Sequence, residues 1–188
     1  MQAIFNKEIV INKPACRLIG IFTFVLLTGF GAFVRIPLPF TPVPLTLQTF
    51  FVLLSAALLG RRDGTISQLG YISLGLCGLP VFSSAGSGIL YLLGPTGGYL
   101  FGFILASIFV GTFIEKITNK FTYVLAVFLI ADLILLCSGV IWLKLTLSCS
   151  LFGAFLIGFF PFIFGDLLKS IIASVVYIKL QPRIREIF

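Results

Sequence analysis

The longest uncharged stretch of the chain decides its fold: residues 64–114 read GTISQLGYISLGLCGLPVFSSAGSGILYLLGPTGGYLFGFILASIFVGTFI, without an Asp, Glu, Lys or Arg. A helix rises about 1.5 Å per residue, so about 20 apolar residues cross the hydrocarbon core of a bilayer. The stretch therefore has the length of two membrane-spanning helices. Its middle holds Pro95 and a cluster of glycines, which predict the turn between them.

The whole chain is also rich in apolar residues and poor in charged ones. Of 188 residues, 59% are hydrophobic and 10% are charged, and the mean hydropathy is +1.18. Soluble domains carry about a quarter charged residues, and a chain this small has no interior that can bury 22 Phe along with its aliphatic residues. The chain is therefore predicted to fold in lipid as a single transmembrane domain over residues 1–188. This excludes a soluble enzyme, a secreted disulfide scaffold and a disordered tail.

Charged residues and prolines divide the chain into six predicted membrane spans. The four prolines from Pro37 to Pro44 do not fit a helix interior, so the second span begins after them. Residues 148–160 are predicted to form a short outer helix that lies on the bundle. The predicted fold class is an all-α integral membrane bundle of six transmembrane helices, with a proline-rich outer loop between helices 1 and 2. The spans cover residues 16–34, 46–60, 65–80, 96–114, 121–143 and 161–178.

The distribution of Lys and Arg predicts the orientation of this bundle. Ten of the 13 fall on one side when six spans are counted, and cytoplasmic segments of membrane proteins are rich in these residues. We therefore expect both termini in the cytoplasm and the multi-pass chain in the cytoplasmic (inner) membrane. Tyr91, Tyr99 and Trp142 are expected at the outer boundary as aromatic anchors. The ten inner cations indicate orientation and lipid contact, not nucleic-acid binding: Lys7, Lys13, Arg17, Arg61, Arg62, Lys116, Lys120, Lys179, Arg183 and Arg185.

Three ionisable residues fall at membrane depth, where such groups are costly and tend to be paired or functional. Asp166 and Lys169 are three residues apart, share one helix face and can pair. Either the pair only locks helices together, or it belongs to an outward-facing polar pocket, which is the interpretation that we favour. Asp132 has no partner nearby in the sequence and fits either a link between helices or a ligand contact.

The predicted outer loop, residues 35–48, is the least generic segment of the chain. Its prolines favour an extended, stiff backbone. A rigid connector and a lid over a pocket are both open, and Phe40 among the prolines favours a lid. Gln48, at the start of the second helix, offers an amide to whatever lies beneath, and the neighbouring Thr46 is also a candidate binding residue. The predicted lid residues are Pro37, Pro39, Pro42 and Pro44.

A second candidate segment, GPTGGY at residues 94–99, opens the fourth span. Glycines let a ligand approach the backbone, and the amides at a helix N-terminus suit an anionic or carbonyl group. The same pattern is also typical of a tight turn that packs helices together. The candidate binding residues here are Gly94, Pro95, Thr96, Gly97 and Tyr99.

The favoured interpretation assigns no residue to catalysis or to metal binding. The chain has no His, and its four Cys are widely separated in or beside apolar runs. His-based acid–base chemistry is therefore excluded, and neither a zinc site nor a disulfide framework is expected.

Several motifs together resemble one known family, the BioY family. They occur in order over residues 16–180: RIPLPFTPVP at 35–44 with TLQT at 46–49, GLPVF at 78–82, GPTGGYL at 94–100 and PFIFGDLLK at 161–169. Members of this family are biotin-specific substrate-binding (S) components of energy-coupling factor (ECF) vitamin transporters. The resemblance implies a six-helix membrane bundle that binds biotin beneath its first loop.

The resemblance also implies partners and roles. The expected partners are biotin, a transmembrane coupling protein and two cytoplasmic ATPases, with biotin as cargo and no cofactor. The chain has no Walker motif of its own. By position, Asp166 and Lys169 match the polar pair on the family's last helix, and the proline lid with Phe40, Gln48 and the 94–99 turn match the rest of the pocket. Asp166 is expected to accept from the ureido N–H groups of biotin, while Lys169 either keeps Asp166 ionised or meets the ligand's carbonyl or carboxylate.

Other functions stay open from the sequence. One alternative is a stand-alone facilitator or an S component for another small vitamin, and another is a purely structural bundle. A third is an intramembrane enzyme that uses Asp132 and Asp166 as paired carboxylates. The first helix also departs from the Ala-x-x-x-Ala contact of many S components, since that register reads Gly20, Phe24, Thr28 and Ala32.

Overall fold

The computed structural model describes residues 13–184, which form a bundle of α-helices with one small β-ribbon. Lys7 and Arg185, two of the predicted inner cations, lie outside the described residues. The elements in chain order are α1 (Lys13–Phe33), β1 (Arg35–Ile36), β2 (Leu45–Thr46), α2 (Gln48–Leu76), α3 (Gly88–Leu93), α4 (Gly97–Phe113), α5 (Phe121–Thr146), α6 (Leu151–Gly158) and α7 (Ile163–Ile184). Three 3₁₀ turns lie at Ser83–Ala85, Ile114–Lys116 and Phe160–Phe162.

Helix α2 is two helices in one, folded back at Gly60. Gly60 has φ +78° and ψ 179°, a conformation open essentially to glycine alone. A Cβ on Gly64 would overlap the backbone of Ala56, although residues eight apart along a straight helix are about 12 Å apart. The chain therefore reverses at Gly60. We call residues 48–59 the first arm and residues 61–76 the second arm.

This hairpin refines the predicted second and third spans. The sequence predicted two helices, 46–60 and 65–80, with four residues between them. The structure keeps the two antiparallel helices but shortens the turn to one glycine, and it moves the end of the second arm to Leu76. The hydrogen bond from Gln68 Nε2 to Ser55 Oγ, at 2.9 Å, joins the two arms.

Four segments of the described chain are long and apolar enough to cross a membrane: Lys13–Phe33, Gly97–Lys116, Phe121–Thr146 and Leu151–Pro182. The last includes the predicted short helix, observed as α6 at Leu151–Gly158, together with α7. Each arm of α2 is shorter than a typical spanning helix. The count of six spans and the orientation therefore stay predictions.

Helix α1 packs on α2 with the face that carries its small residues. Phe24, Thr28 and Ala32 are all buried there, so this register is covered by the bundle itself. At the other end of α1, the Arg17 guanidinium donates two hydrogen bonds to the Asp63 carboxylate, at 2.7 and 2.8 Å. This ion pair ties α1 to the second arm just after the chain reversal.

Candidate binding site

The Asp166–Lys169 ion pair is the centre of the candidate site. The Lys169 ammonium lies 2.5 Å from Asp166 Oδ1 on α7, as the spacing predicted. The two residues are only 3% and 8% exposed. Lys169 Nζ also donates to the carbonyl of Thr46 at 2.9 Å, and Thr49 Oγ1 donates to Asp166 Oδ1 at 3.2 Å. These bonds fix the pair against the start of α2.

A cavity lies beside this pair, and half of the predicted site residues border it. Its volume is about 50 Å³. The predicted residues that line it are Pro44, Thr46, Gln48, Thr96, Tyr99, Asp166 and Lys169. The predicted residues that do not line it are Pro37, Pro39, Phe40, Pro42, Gly94, Pro95 and Gly97.

The proline-rich loop explains part of this division. Its ends pair as an antiparallel ribbon, with Arg35 opposite Thr46 and Ile36 opposite Leu45. The loop is therefore a hairpin, and Phe40 near its tip is 59% exposed. Only the returning half, residues 43–46, borders the cavity. Of the predicted lid residues, Pro44 borders the cavity, whereas the structure does not bring Phe40 to it.

The 94–99 turn mainly packs helices, which was the alternative interpretation. The carbonyl of Gly94 accepts from Trp142 Nε1 at 2.9 Å and from the Gly97 N–H at 3.1 Å. Tyr99 is buried, and its hydroxyl donates to the carbonyl of Gly158 at 2.6 Å. Thr96 and Tyr99 reach the cavity, so this segment contributes two side chains.

The sequence analysis missed a second polar group at the cavity, formed by Ser83 and Tyr91. Ser83 is 5% exposed, and its hydroxyl makes no hydrogen bond within residues 13–184, although Tyr91 is a neighbour. Tyr91 was expected to be a boundary anchor, but its ring stacks on Phe82 at 4.9 Å and lines the cavity. The motif GLPVF ends one residue before Ser83 and was the available signal.

Several polar and charged groups surround Tyr91 on this side of the cavity. Burial raises the pKa of Tyr91, and the hydroxyls of Thr96 and Ser83 and the charge of Arg35 oppose that rise. Tyr91 therefore stays a neutral hydroxyl at physiological pH. Arg35 also donates to Ser84 Oγ and has no carboxylate partner among the described residues. An uncompensated cation thus lies close to the Ser83–Tyr91 side of the cavity.

The wall on the other sides is apolar. It consists of Val43, Leu45, Leu100, Phe103, Leu135, Leu136 and Phe162. Gln48, the amide predicted to face the pocket, donates from Nε2 to the Tyr71 hydroxyl at 2.6 Å and accepts from Thr46 Oγ1 at 3.2 Å. The cavity therefore combines an apolar wall with two separate polar groups, Asp166–Lys169 and Ser83–Tyr91, a pattern typical of small-molecule sites.

Asp132 lies outside this cavity. Its Oδ2 accepts a hydrogen bond from Ser170 Oγ on α7. It borders a second cavity of about 380 Å³ between α5 and α7, where Asp166 is also part of the wall. The two carboxyls thus share one space, yet each has its own hydrogen-bond partner.

Comparison with known proteins identifies the family. A sequence model of the BioY family matches residues 6–186, nearly the whole chain. The chain belongs to the BioY family. The biotin transporter BioY of Thermotoga maritima is 41% identical over 162 residues, which cover 86% of this chain and 92% of that protein. The probable biotin transporter BioY of Lysinibacillus sphaericus is 40% identical over 186 residues, covering 94% and 90%.

A solved structure supports the same relationship. The crystal structure of the S-component for biotin from an ECF-type ABC transporter superposes with a TM-score of 0.84 and 29% sequence identity, over 91% of this chain and 93% of that one. The predicted resemblance to BioY is therefore confirmed, and with it the helical membrane fold. As a BioY protein, the chain is a multi-pass membrane protein of a transporter family.

Proposed function

We propose that this protein captures biotin at the outer side of the cytoplasmic membrane, as the substrate-binding S component of an ECF-type transporter. The observation that carries the proposal is the buried Asp166–Lys169 pair at the wall of a cavity that the proline loop partly covers. Similarity to BioY proteins over nearly the whole chain supports biotin as the ligand.

The chemistry of the cavity suits the bicyclic end of biotin. The ureido group of biotin has two N–H donors and one carbonyl, and its sulfur ring is apolar. Asp166 has a carboxylate oxygen free to accept from an N–H, and charge-assisted hydrogen bonds of this kind are the strong ones. The apolar ring then packs on Phe103, Leu135 and Phe162.

The carboxylate end of biotin is expected beside Arg35, because that cation has no carboxylate partner among the described residues. Lys169 is already neutralised by Asp166, whereas Arg35 has no carboxylate partner within residues 13–184. The anionic end therefore points toward Arg35 and the hydroxyls of Ser83 and Tyr91. Of the two expected roles of Lys169, this orientation favours the one in which it keeps Asp166 ionised.

The size of the cavity implies that the loop moves. A volume of about 50 Å³ holds one or two water molecules, while small-molecule sites usually measure about 300–1,000 Å³. Biotin entry therefore requires residues 43–46 to move away from α7. The bond from Lys169 Nζ to the Thr46 carbonyl is the contact that must open.

The proposed assembly follows the family. The partners are a transmembrane coupling protein and two cytoplasmic ATPases, and six spans place both termini inside. Phe24, Thr28 and Ala32 of α1 lie at the positions where many S components carry the Ala-x-x-x-Ala contact, and here all three are buried in the bundle. A coupling protein therefore meets other residues of α1, of which Leu18, Phe22 and Leu26 are exposed.

A binding and competition experiment tests the proposal. Biotin should bind saturably to the purified chain in detergent, and native mass spectrometry of gently purified protein should show a co-purified biotin mass. Desthiobiotin, which keeps the ureido ring and the acid, should compete, while thiamine and riboflavin should not. Competition by either of those two vitamins would favour an S component for another vitamin, and no saturable ligand would favour a structural bundle. Uptake that persists in cells without the ATPases would indicate a stand-alone facilitator.

A further inference from the structure

The carboxyl of Asp132 is a buried group that the proposed binding chemistry does not use. It lies in the middle of α5 and is 4% exposed. Ser170 Oγ donates to its Oδ2, while Oδ1 has no hydrogen-bond partner in the part of the chain that the structure describes. Because an ionisable group at membrane depth is costly, this position calls for a physical reason.

Ser170 connects Asp132 to the ion pair. It is fully buried on α7, directly after Lys169 and one helical turn after Asp166. On the other side of this turn of α7, Thr46 of β2 contacts Lys169 and Thr49 of α2 contacts Asp166. The turn that carries the pair is therefore fixed by α2 on one side and by α5 on the other.

Helices α5 and α7 pack on each other through Phe128 and Tyr177. A second cavity, of about 380 Å³, lies beside Asp132 and Asp166. Apart from Asp132 and Asp166, its wall is made of apolar residues: Leu129, Leu133, Leu136, Phe159, Ile163 and Leu167. The Asp132–Ser170 hydrogen bond is the directional contact between α5 and α7 at the level of the ion pair.

We infer that Asp132 is a positioning residue of the binding site, which holds through Ser170 the turn of α7 that presents Asp166 and Lys169 to the ligand. The inference rests on the proposed function, in which that pair contacts biotin. Asp132 needs only an oxygen that accepts from Ser170. An amide in the same place can therefore replace it, whereas an apolar side chain of similar size cannot.

The test compares biotin affinities of purified variants by titration calorimetry. Asp132→Leu and Ser170→Ala should each weaken binding about tenfold, the effect of losing a buried hydrogen bond. Asp132→Asn should stay within about threefold of the wild type, because its amide oxygen still accepts from Ser170. Ser174→Ala is the matched control: this hydroxyl is equally buried on α7 but bonds only to the Ser170 carbonyl of its own helix, so its affinity should be unchanged.

A double-variant cycle separates positioning from general destabilisation. In the Asp166→Asn background, Asp132→Leu should weaken binding by clearly less than tenfold, because the group that it positions then makes a weaker hydrogen bond. A full tenfold loss in that background, or wild-type affinity in both Asp132→Leu and Ser170→Ala, overturns the inference. Should Asp132→Leu not fold, Ser170→Ala against Ser174→Ala decides the question. A wild-type chain that does not bind biotin overturns the proposed function and this inference together.

Discussion

Asp166 and Lys169 show how a charged pair is tolerated at membrane depth. Each alone would be expensive in hydrocarbon, but at 2.5 Å they cancel, and Thr46 and Thr49 satisfy further lone pairs and protons. Their spacing of three made the pair predictable from the sequence, because contacts within one helix turn are local. Ser83 and Tyr91 were not predictable in this way, since their approach to the cavity depends on how separate segments pack.

At the residue scale, Asp166→Asn should weaken biotin binding about tenfold or more, because an amide accepts a weaker hydrogen bond than a carboxylate and leaves Lys169 unpaired. Titration calorimetry on the purified chain measures this. Glu115→Gln serves as the control, because it also turns a carboxylate into an amide. Glu115 is exposed and lies in the 3₁₀ turn that follows α4. Undiminished affinity of the Asn variant would remove Asp166 from the site.

The orientation of biotin gives a second prediction at this scale. Arg35→Gln should weaken binding of biotin about tenfold but change binding of biotinamide, which lacks the negative charge, far less. Asp166→Asn should weaken both ligands alike. Equal effects of Arg35→Gln on the two ligands would mean that the carboxylate does not lie beside Arg35. If Lys169→Met instead weakened binding of biotin but not of biotinamide, the carboxylate would lie beside Lys169.

At the scale of elements, the chain reversal at Gly60 and the ribbon of the outer loop define what the sequence did and did not predict. Uncharged runs and prolines predicted the helices and the loop, because burial in lipid and the missing proline N–H act locally. They did not predict that one glycine makes the whole turn of α2, nor that β1 and β2 pair. That pairing points Phe40 outward, so a residue expected over the cavity lies at an exposed tip.

Gly60→Ala should therefore lower the stability of the protein. A side chain at φ +78° and ψ 179° costs about 1–3 kcal/mol, which should appear as a lower midpoint of thermal unfolding in detergent. Gly29→Ala is the matched control, since its new methyl would meet only ordinary contacts near Tyr71 and Val81 and alanine favours a helix. Equal midpoints for the two variants would contradict the assigned backbone conformation.

At the scale of the whole molecule, we expect the helices to form a rigid frame and the outer loop to be its movable edge. The helices meet across polar contacts such as the part-buried Arg17–Asp63 pair and the buried Gln68–Ser55 bond. The outer loop contacts the frame through the buried Val43, through Leu45 and through the Thr46–Lys169 bond. Motion that admits a ligand is therefore expected at this edge and not between helices.

Hydrogen exchange followed by mass spectrometry tests this expectation. Amides of residues 35–47 should exchange more slowly with biotin than without it, since a bound ligand holds the loop closed. Amides of α4, residues 97–113, provide the internal control and should change little. Identical exchange of the loop in both states would mean that the ligand enters by another route.

The self-neutralised pair on α7 also has an electrical consequence. A membrane voltage does about 2.3 kcal/mol of work on each elementary charge per 100 mV, but it exerts no net force on opposite charges that travel together 2.5 Å apart. When Arg35 in turn balances the acid of the cargo, the filled site also carries no net charge. Reorientation of the filled site across the bilayer would then be electrically silent, whereas the empty site would carry the positive charge of Arg35.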